Sequence, residues 1–433
     1  VSSLANWLPD YKQRYGEFTN PLPEENTIAD WFDFVPQDQR PGQAFNFPVV
    51  VQNEHGQTAD NTGTAFNLNS AIDSVLKNAV IDGSTLALVG NIPYDVTFRG
   101  RNGAGNGNNG GAFRTAFELK TSLMMQAMEF YRELSLMYGC GNTTTAAANI
   151  GVCSAPITGG ANLGTGAGQI VSITTASLAP GLWNNMIGAL VDVYQSDATT
   201  LRAAGVSVTA FNTSVGTTLA TVQLFKTSSS AVVAPNDIIV PAGWVSKTCV
   251  GVESILTNTG TLFGINAGQY PMWKAVNFSA GSAALTRAKI LGMAAKLFPN
   301  GLDSGGKLFV SAPTFGDLAE EADALQRYTG NTDEVKRQGA NNLEYKSPAG
   351  TINVALHKYM KQGEAMFFPK GIGKRVGSTD ITFRGEGQDW FFLELPNNAG
   401  CQLRTLSNQA PVLRIPYRCA LISAITNSST SGA

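Results

Sequence analysis

Residues 95–138 read DVTFRGRNGAGNGNNGGAFRTAFELKTSLMMQAMEFYRELSLMY, and within them Gly105-Asn106-Gly107-Asn108-Asn109-Gly110 spells G-x-G-x-x-G between a strand-like and a helix-like run. If these glycines cradle a phosphate, the chain is a dinucleotide-binding α/β protein. If they only join two elements, the long helix behind them organises a different fold. The fingerprint requires a buried strand, a tight turn and a helix N-terminus facing the pyrophosphate within one βαβ unit. Here Tyr94, Val96 and Phe98 alternate with Asp95, Thr97 and Arg99, which describes a strand with one wet face, whereas a central parallel strand is apolar on both. The helical pattern then runs to Tyr138, too long for a compact crossover, and no Gly-Lys-Ser/Thr is present to make a P-loop. The glycines are a flexible connector.

The helix itself is the clearest element. Phe113, Phe117, Met124, Ala127, Met128, Tyr131, Leu134 and Tyr138 fall at helical spacing, and Gly139 is the expected C′ residue. At 1.5 Å per residue such a helix spans about 40 Å. It is a beam, with the glycines as its joint.

Composition narrows the classes that such a beam can serve. A chain of 433 residues accommodates two or three domains or one discontinuous one. Lys and Arg total 30 against 32 Asp and Glu, and only 14% of residues are charged. That balance argues against dedicated nucleic-acid binding, which needs clustered cations to displace counterions, and favours a surface largely covered by partners. Residues 1–60 hold nine acidic and three basic residues, while residues 134–191 hold no charge at all. Gly, Thr, Asn and Ser interrupt that uncharged run too often for a membrane span, and no basic-then-apolar leader opens the chain. The first residue is Val1, which leads us to expect a segment upstream that was removed or lies outside this sequence.

Chemistry-bearing residues are sparse. Five widely spaced cysteines (Cys140, Cys153, Cys249, Cys401, Cys419) without a C-x-x-C pair read as reduced thiols. Two histidines, His55 and His357, leave little room for zinc or general acid–base chemistry. Cys140 with His357 is the one nucleophile–base pair on offer, and nothing local ties them; a buried structural thiol is the default. Asp317, Glu320, Glu321 and Asp323 cluster early on a helix, where carboxylates complement the dipole and stay solvated. Neither a catalytic residue, a cofactor nor a metal site is expected. The Asn-x-Ser/Thr triplets at Asn142, Asn212, Asn277 and Asn427 are accounted for by composition.

Along the chain, residues 1–45 form an arm with prolines at 9, 21, 23, 36 and 41 and the aromatics Trp7, Tyr11, Tyr15, Phe18, Trp31 and Phe34 among acidic residues. The prolines prevent regular structure, and the aromatics require burial. An arm that buries them on another subunit satisfies both. Residues 46–103 read as a long two-stranded excursion with a polar tip and a helix-like piece, AIDSVLKNAV, at 71–80. An amphipathic helical run is expected over LAPGLWNNMIGALVDVYQ (Leu182, Met186, Leu190, Val193), then Thr/Val-rich strands over 199–260. A second helix is expected from an N-cap at Ser282 through Leu285, Ala288, Leu291, Ala295 and Phe298, and a third follows the strand KLFVS with Phe315, Leu318, Ala322 and Leu325 on one side. Strands close the chain, at Ile352, Val354 and Leu356, at 390–395, and at Leu413, Ile415, Tyr417, Cys419 and Leu421. The class is α+β without repeats. The basic set Lys358, Lys361, Lys370, Lys374 and Arg375 is matched by the acidic excess of the first sixty residues, and pairing between subunits is the expected use.

This order of arm, extended loop, glycine joint, spine helix and α+β region resembles the major capsid proteins of tailed bacteriophages with the Hong Kong 97-type fold. The local match is Gly264-Ile265-Asn266-Ala267-Gly268-Gln269-Tyr270-Pro271-Met272-Trp273-Lys274, similar to the G-I-[DN]…Y-P-x-W segment of many phage capsid proteins, with Asn266 where Asp is commoner. PVVVQNEHG and RIPYRCALISAI are weaker matches. The resemblance implies an arm (1–45), an extended β-hairpin loop with its glycine hinge (46–110), a peripheral domain carrying the spine helix (111–175), an axial domain (176–350), returning peripheral strands (351–400) and C-terminal strands re-entering the axial domain (401–433). It further implies hexamers and pentamers of an icosahedral head around double-stranded DNA that is not read by sequence. Portal, scaffolding and decoration proteins are the implied partners, with assembly in the host cytoplasm and no membrane. Trp7, Tyr11, Tyr15, Trp31, Phe34, Lys358, Lys361, Lys374 and Arg375 are the candidate inter-subunit contacts. Lys77 is the single lysine of the loop, without an identifiable crosslinking partner. An encapsulin-type shell shares the fold and is the first alternative; an extracellular surface protein is the second, and it would lack well-capped long helices. An enzyme ranks last.

Overall fold

A computed structural model describes residues 22–36, 45–61, 63–94, 111–141, 149–213, 220–327, 343–383, 393–394 and 399–428. The spine forms where the periodicity predicts it, preceded by a short arm root: α1 (Thr27–Trp31), β1 (Asp33–Pro36), β2 (Phe45–Gln52), β3 (Val75–Ile81), β4 (Ser84–Pro93) and the spine helix α2 (Gly111–Tyr138). Then follow β5 (Gly151–Gly159), β6 (Gln169–Ile173), α3 (Pro180–Asn185), β7 (Leu190–Tyr194), β8 (Leu201–Asn212), β9 (Thr221–Phe225), β10 (Ile238–Pro241) and α4 (Val252–Thr257). The two-residue strands β11 (Thr261–Leu262) and β12 (Ile265–Asn266) lead to β13 (Val276–Ala283), α5 (Arg287–Leu297), β14 (Gly306–Val310) and α6 (Ala312–Arg327). The chain ends through β15 (Leu343–Ser347), β16 (Gly350–Leu356), β17 (Ala365–Pro369), β18 (Gly373–Thr382), β19 (Leu393–Glu394), β20 (Gly400–Leu413) and β21 (Ala420–Ile425).

Three assemblies of strands carry the molecule. The Thr/Val-rich middle closes into a six-stranded barrel, β10-β5-β6-β9-β8-β7, whose interior is Val171, Ile173, Val191, Val193, Val206, Val208, Val222, Leu224 and Ile239, all buried. Closure removes the edges that short alternating strands would otherwise expose. A mixed six-stranded sheet, β13-β21-β17-β14-β16-β15, shares a second core (Ile290, Met293, Leu297, Leu308, Leu318, Ile352, Phe367, Ile422) with α5 and α6. The third sheet runs β1-β18-β20-β19 with β4 also on β20, and the spine helix packs on it.

Several local expectations give way to tertiary context. Residues 75–81 are strand, not helix: β3 pairs with β2 from Phe45↔Ile81 to Gln52↔Val75, and cross-strand packing overrides a helix-tolerant composition. The excursion is therefore β2–β3 alone, because β4 leaves it and pairs with β20 from Ser84↔Gln409 to Pro93↔Gly400. The amphipathic run around Leu182 splits: α3 stops at Asn185, Gly188 takes a left-handed φ of 85°, and Leu190 begins β7. Helix α5 starts at Arg287 rather than after Ser282, since the Thr286 hydroxyl accepts the Lys289 N–H while Ser282 sits at φ 54° in the irregular end of β13. Residues 413–421 are two strands in different sheets, parted by a 3₁₀ turn at Pro416–Arg418, because Pro416 has no N–H for a ladder. Leu356 ends β16 exposed, although Ile352 and Val354 are buried.

Candidate assembly site

Polar residues on the spine helix hold the root of the arm. Gln126, Glu129 and Glu133 fall three to four residues apart, hence on one face, with Arg132 beside them. Gln126 Nε2 donates to Glu24 (2.7 Å), Asn26 Nδ2 to Glu129 (3.0 Å), and Arg132 Nη2 to Asn26 Oδ1 (3.3 Å). Glu133, fully buried, accepts the backbone N–H groups of Ile28 (2.8 Å) and Ala29 (3.0 Å) and faces His357 Nε2 at 2.9 Å. The Tyr359 N–H donates to His357 Nδ1 (3.2 Å), so the imidazole proton is on Nε2 and is given to Glu133. His357 is a structural donor and not a base for Cys140. Burial pushes the Cys140 thiol up to about 12, and burial likewise raises Cys153, Cys249 and Cys419, so these thiols are inert.

The arm root continues as β1, which adds a parallel edge strand to β18. Phe32 is buried edge-on against Phe368 at 5.4 Å. Gly373 lies directly opposite, where a Cβ would stand 2.1 Å from the Phe32 ring. Trp31 and Phe34, expected on a neighbour, lie against their own chain: the Lys307 ammonium is 5.2 Å from the Trp31 ring and the Arg375 guanidinium 5.6 Å from the Phe34 ring. Trp7, Tyr11 and Tyr15 fall outside the described residues.

The basic set is likewise engaged inside the subunit. Lys374 pairs with Asp33. Lys358 donates its N–H to Glu25 (3.4 Å) and its ammonium to the Glu24 carbonyl. Arg375 donates to the Phe32 carbonyl (2.9 Å), Gln409 (2.8 Å) and Asp380, whose other cation is Arg132 at 3.0 Å. Lys361 is buried with both Glu253 oxygens at 2.8 Å. The root of the acidic arm and the basic strand meet within one chain, where pairing between subunits was the expectation. Buried Lys361 and Arg375 have no surface to offer a neighbour; Lys358 and Lys374 retain some. Lys370 is exposed on the turn after β17.

What the subunit leaves open is the hairpin. β2 and β3 form a two-stranded sheet of their own, and one face presents Val50, Leu76 (60% exposed) and Val80 to solvent, with Phe66, Leu68 (80%) and Ile72 towards the tip. A lone hairpin is marginal in water, and contiguous apolar surface marks an interface. Its base rests on the Gly264–Lys274 turn: the Val80 N–H donates to the Phe263 carbonyl (3.0 Å), and the Lys77 ammonium lies 5.9 Å from the Tyr270 ring. Within the turn, Asn266 Oδ1 accepts the Gly268 N–H (2.8 Å), an acceptor role that Asp fills equally. Buried Trp273 donates its indole N–H to the Leu262 carbonyl (3.1 Å). The motif is a mount for the hairpin and carries no reacting group. Among the described residues, no three His, Cys, Asp or Glu side chains are arranged to hold a metal ion, and no helix is long and apolar enough to cross a membrane.

Comparison with known proteins agrees with this geometry. Residues 240–371, which include the hairpin mount, match the family model described as SU10 major capsid protein. No curated protein matches the chain. Among solved structures the chain is similar to the capsid asymmetric unit of cyanophage A-1(L), with a TM-score of 0.54 and 12% identity over 96% of this chain and 97% of that one. Weaker likenesses are to the capsid of cyanophage P-SCSP1u (TM-score 0.43, 9% identity, 96% and 93% covered) and to the holo-SrpI encapsulin complex of Synechococcus elongatus (0.44, 6%, 99% and 97%). The chain has the Hong Kong 97-type capsid fold along nearly its whole length, and residues 240–371 are similar in sequence to the SU10 major capsid protein family.

Proposed function

We propose that copies of this chain assemble into hexamers and pentamers that close an icosahedral phage head around double-stranded DNA, within the host cytoplasm and with portal, scaffolding and decoration proteins as further partners. The observation that carries the reading is the exposed apolar face of the hairpin, whose other face packs on the core of its own subunit. In an assembly the exposed face is covered by the next subunit, and repetition of one such head-to-tail contact closes a ring. The weak overall charge fits a wall that encloses DNA without reading it. The subunit then divides into arm (1–45), extended loop and hinge (46–110), peripheral segments (111–175 and 351–400), axial domain (176–350) and returning strands (401–433). Its role is mechanical, without catalytic residue or cofactor. The arm contacts a neighbour through Trp7, Tyr11 and Tyr15, rimmed by Lys358 and Lys374. Replacement of residues 53–74 by a two-residue turn tests this: the subunit should fold with an unchanged far-ultraviolet spectrum, and light scattering should show rings and shells lost. Normal shells from the shortened chain would refute it.

A further inference from the structure

At the foot of the spine helix three segments meet: residues 138–141, α4, and the loop 357–364. The Gly251 N–H donates to the Gly139 carbonyl (2.9 Å) and the Gly141 N–H to the Cys249 carbonyl (2.9 Å). The loop in turn reaches the entrance of the barrel segment, with Gln362 N–H to Leu178 (3.0 Å) and Gly363 N–H to Ala176 (2.9 Å), and it reaches the six-stranded sheet through Ile425 N–H to Gly363 (3.1 Å). This loop therefore ties the spine, the barrel and that sheet to one another.

The charges at this seam do not balance. Lys361 Nζ lies 2.8 Å from each oxygen of Glu253, with the Tyr138 ring 4.5 Å away, and all three residues are buried. Three residues beyond Lys361, the half-buried Glu364 adds a second carboxylate, whose Oε2 is buried without a hydrogen-bond partner among the described residues. One ammonium thus faces two carboxylates. Fully ionised, the cluster is a net negative charge in a low-dielectric surround, and a single bound proton neutralises it. Burial, and next the Glu364 charge, push the Glu253 carboxyl up to about 7 against the pull of Lys361. Burial works to lower Lys361, but Glu253 and Glu364 overcome it and hold the ammonium charged. The other titratable groups facing the cluster are Tyr138 and Cys140 on the spine side, with Cys249 behind Cys140; burial raises all three, so they stay neutral.

We propose that Glu253, Lys361 and Glu364 form a proton-operated joint, in which loss of the proton held at Glu253 loosens the seam between the spine-helix foot, α4 and the 357–364 loop. The sign follows from the raised Glu253 carboxyl: its contribution is full below the ordinary value of 4.5 and is lost as pH rises through about 7. Mild acid closes the joint and mild alkali opens it. The joint is a property of one subunit and holds whether or not shells form.

The test compares the full-length wild type with Glu364→Gln and Glu253→Gln, all in one assembly state, between pH 5.5 and 8.5. Each variant leaves one carboxylate for one ammonium. Wild type should lose several degrees of melting temperature across this range, and both variants should lose much less. Hydrogen exchange at residues 138–141, 251–257 and 361–364, corrected for its intrinsic pH dependence, should accelerate several-fold above pH 7 in wild type and much less in Glu364→Gln. Equal pH slopes in wild type and variants would overturn the proposal. So would pH-independent protection of these three segments in wild type, a readout that stands even if a variant fails to fold.

Discussion

Glu133 is the residue on which the arm root turns. Its carboxylate satisfies two backbone donors of α1 and the imidazole of His357 inside the protein. Removal in Glu133→Ala strands all three, and breaking a buried charged contact from one side costs about 3–5 kcal/mol; the denaturant midpoint should fall accordingly, with Glu133→Gln intermediate. Asp380 behaves differently because it is half exposed. Burial works to raise its carboxyl, but the Arg375 and Arg132 guanidinium groups and the Gln409 amide draw it below the usual value of 3.8. The contribution is present above that value and is lost as pH falls through the lowered one. Asp380→Asn should therefore melt below wild type at pH 6, by an amount equivalent to under about 1 kcal/mol given solvent screening, with the gap closing below about pH 4. That Cys140, Cys153, Cys249 and Cys419 are buried, inert thiols was legible from their spacing alone. Glu133 was not, because a carboxylate among apolar helix positions reads as solvated until its partners, more than a hundred residues away in sequence, are in place.

Among the elements, the spine helix and α6 were legible because their period is local. The helix end was only half legible. Gly139 was expected as a left-handed C′ residue, yet its role is close approach: a Cβ there would stand 2.3 Å from the Cys249 carbonyl oxygen. Gly373 has a parallel role beneath Phe32, where a Cβ would meet the ring at 2.1 Å. Gly373→Ala should therefore eject Phe32 and loosen β1, read as faster proteolysis within residues 22–36 while the barrel and the six-stranded sheet keep their protection. Unchanged cleavage would remove Phe32 as the anchor. The element most misread was residues 71–80, since β3 owes its conformation to β2 and not to its own composition. Barrel closure and the departure of β4 to β20 were equally hidden, because register between strands that are not neighbours in sequence leaves no local trace.

Across the whole molecule, the arm root, the basic strand and the spine helix lock into one another within a single chain, and one face of the β2–β3 hairpin is left apolar and exposed. Lys361 and Arg375 are used inside the subunit, while Val50, Leu76 and Leu68 stay exposed. Of the expected segments, the beam was legible because its period is local, while the arm before residue 22 and the glycine joint at 95–110 lie outside the described residues. Which contacts lie within a subunit and which between subunits was not legible, because opposite charges attract in either case. Cryo-electron microscopy of the expressed protein tests the central claim most directly. The account predicts closed icosahedral shells of hexamers and pentamers in which density for residues 53–74 lies on an adjacent subunit; uniform monomers, or a hairpin folded back on its own chain within the shell, would contradict it.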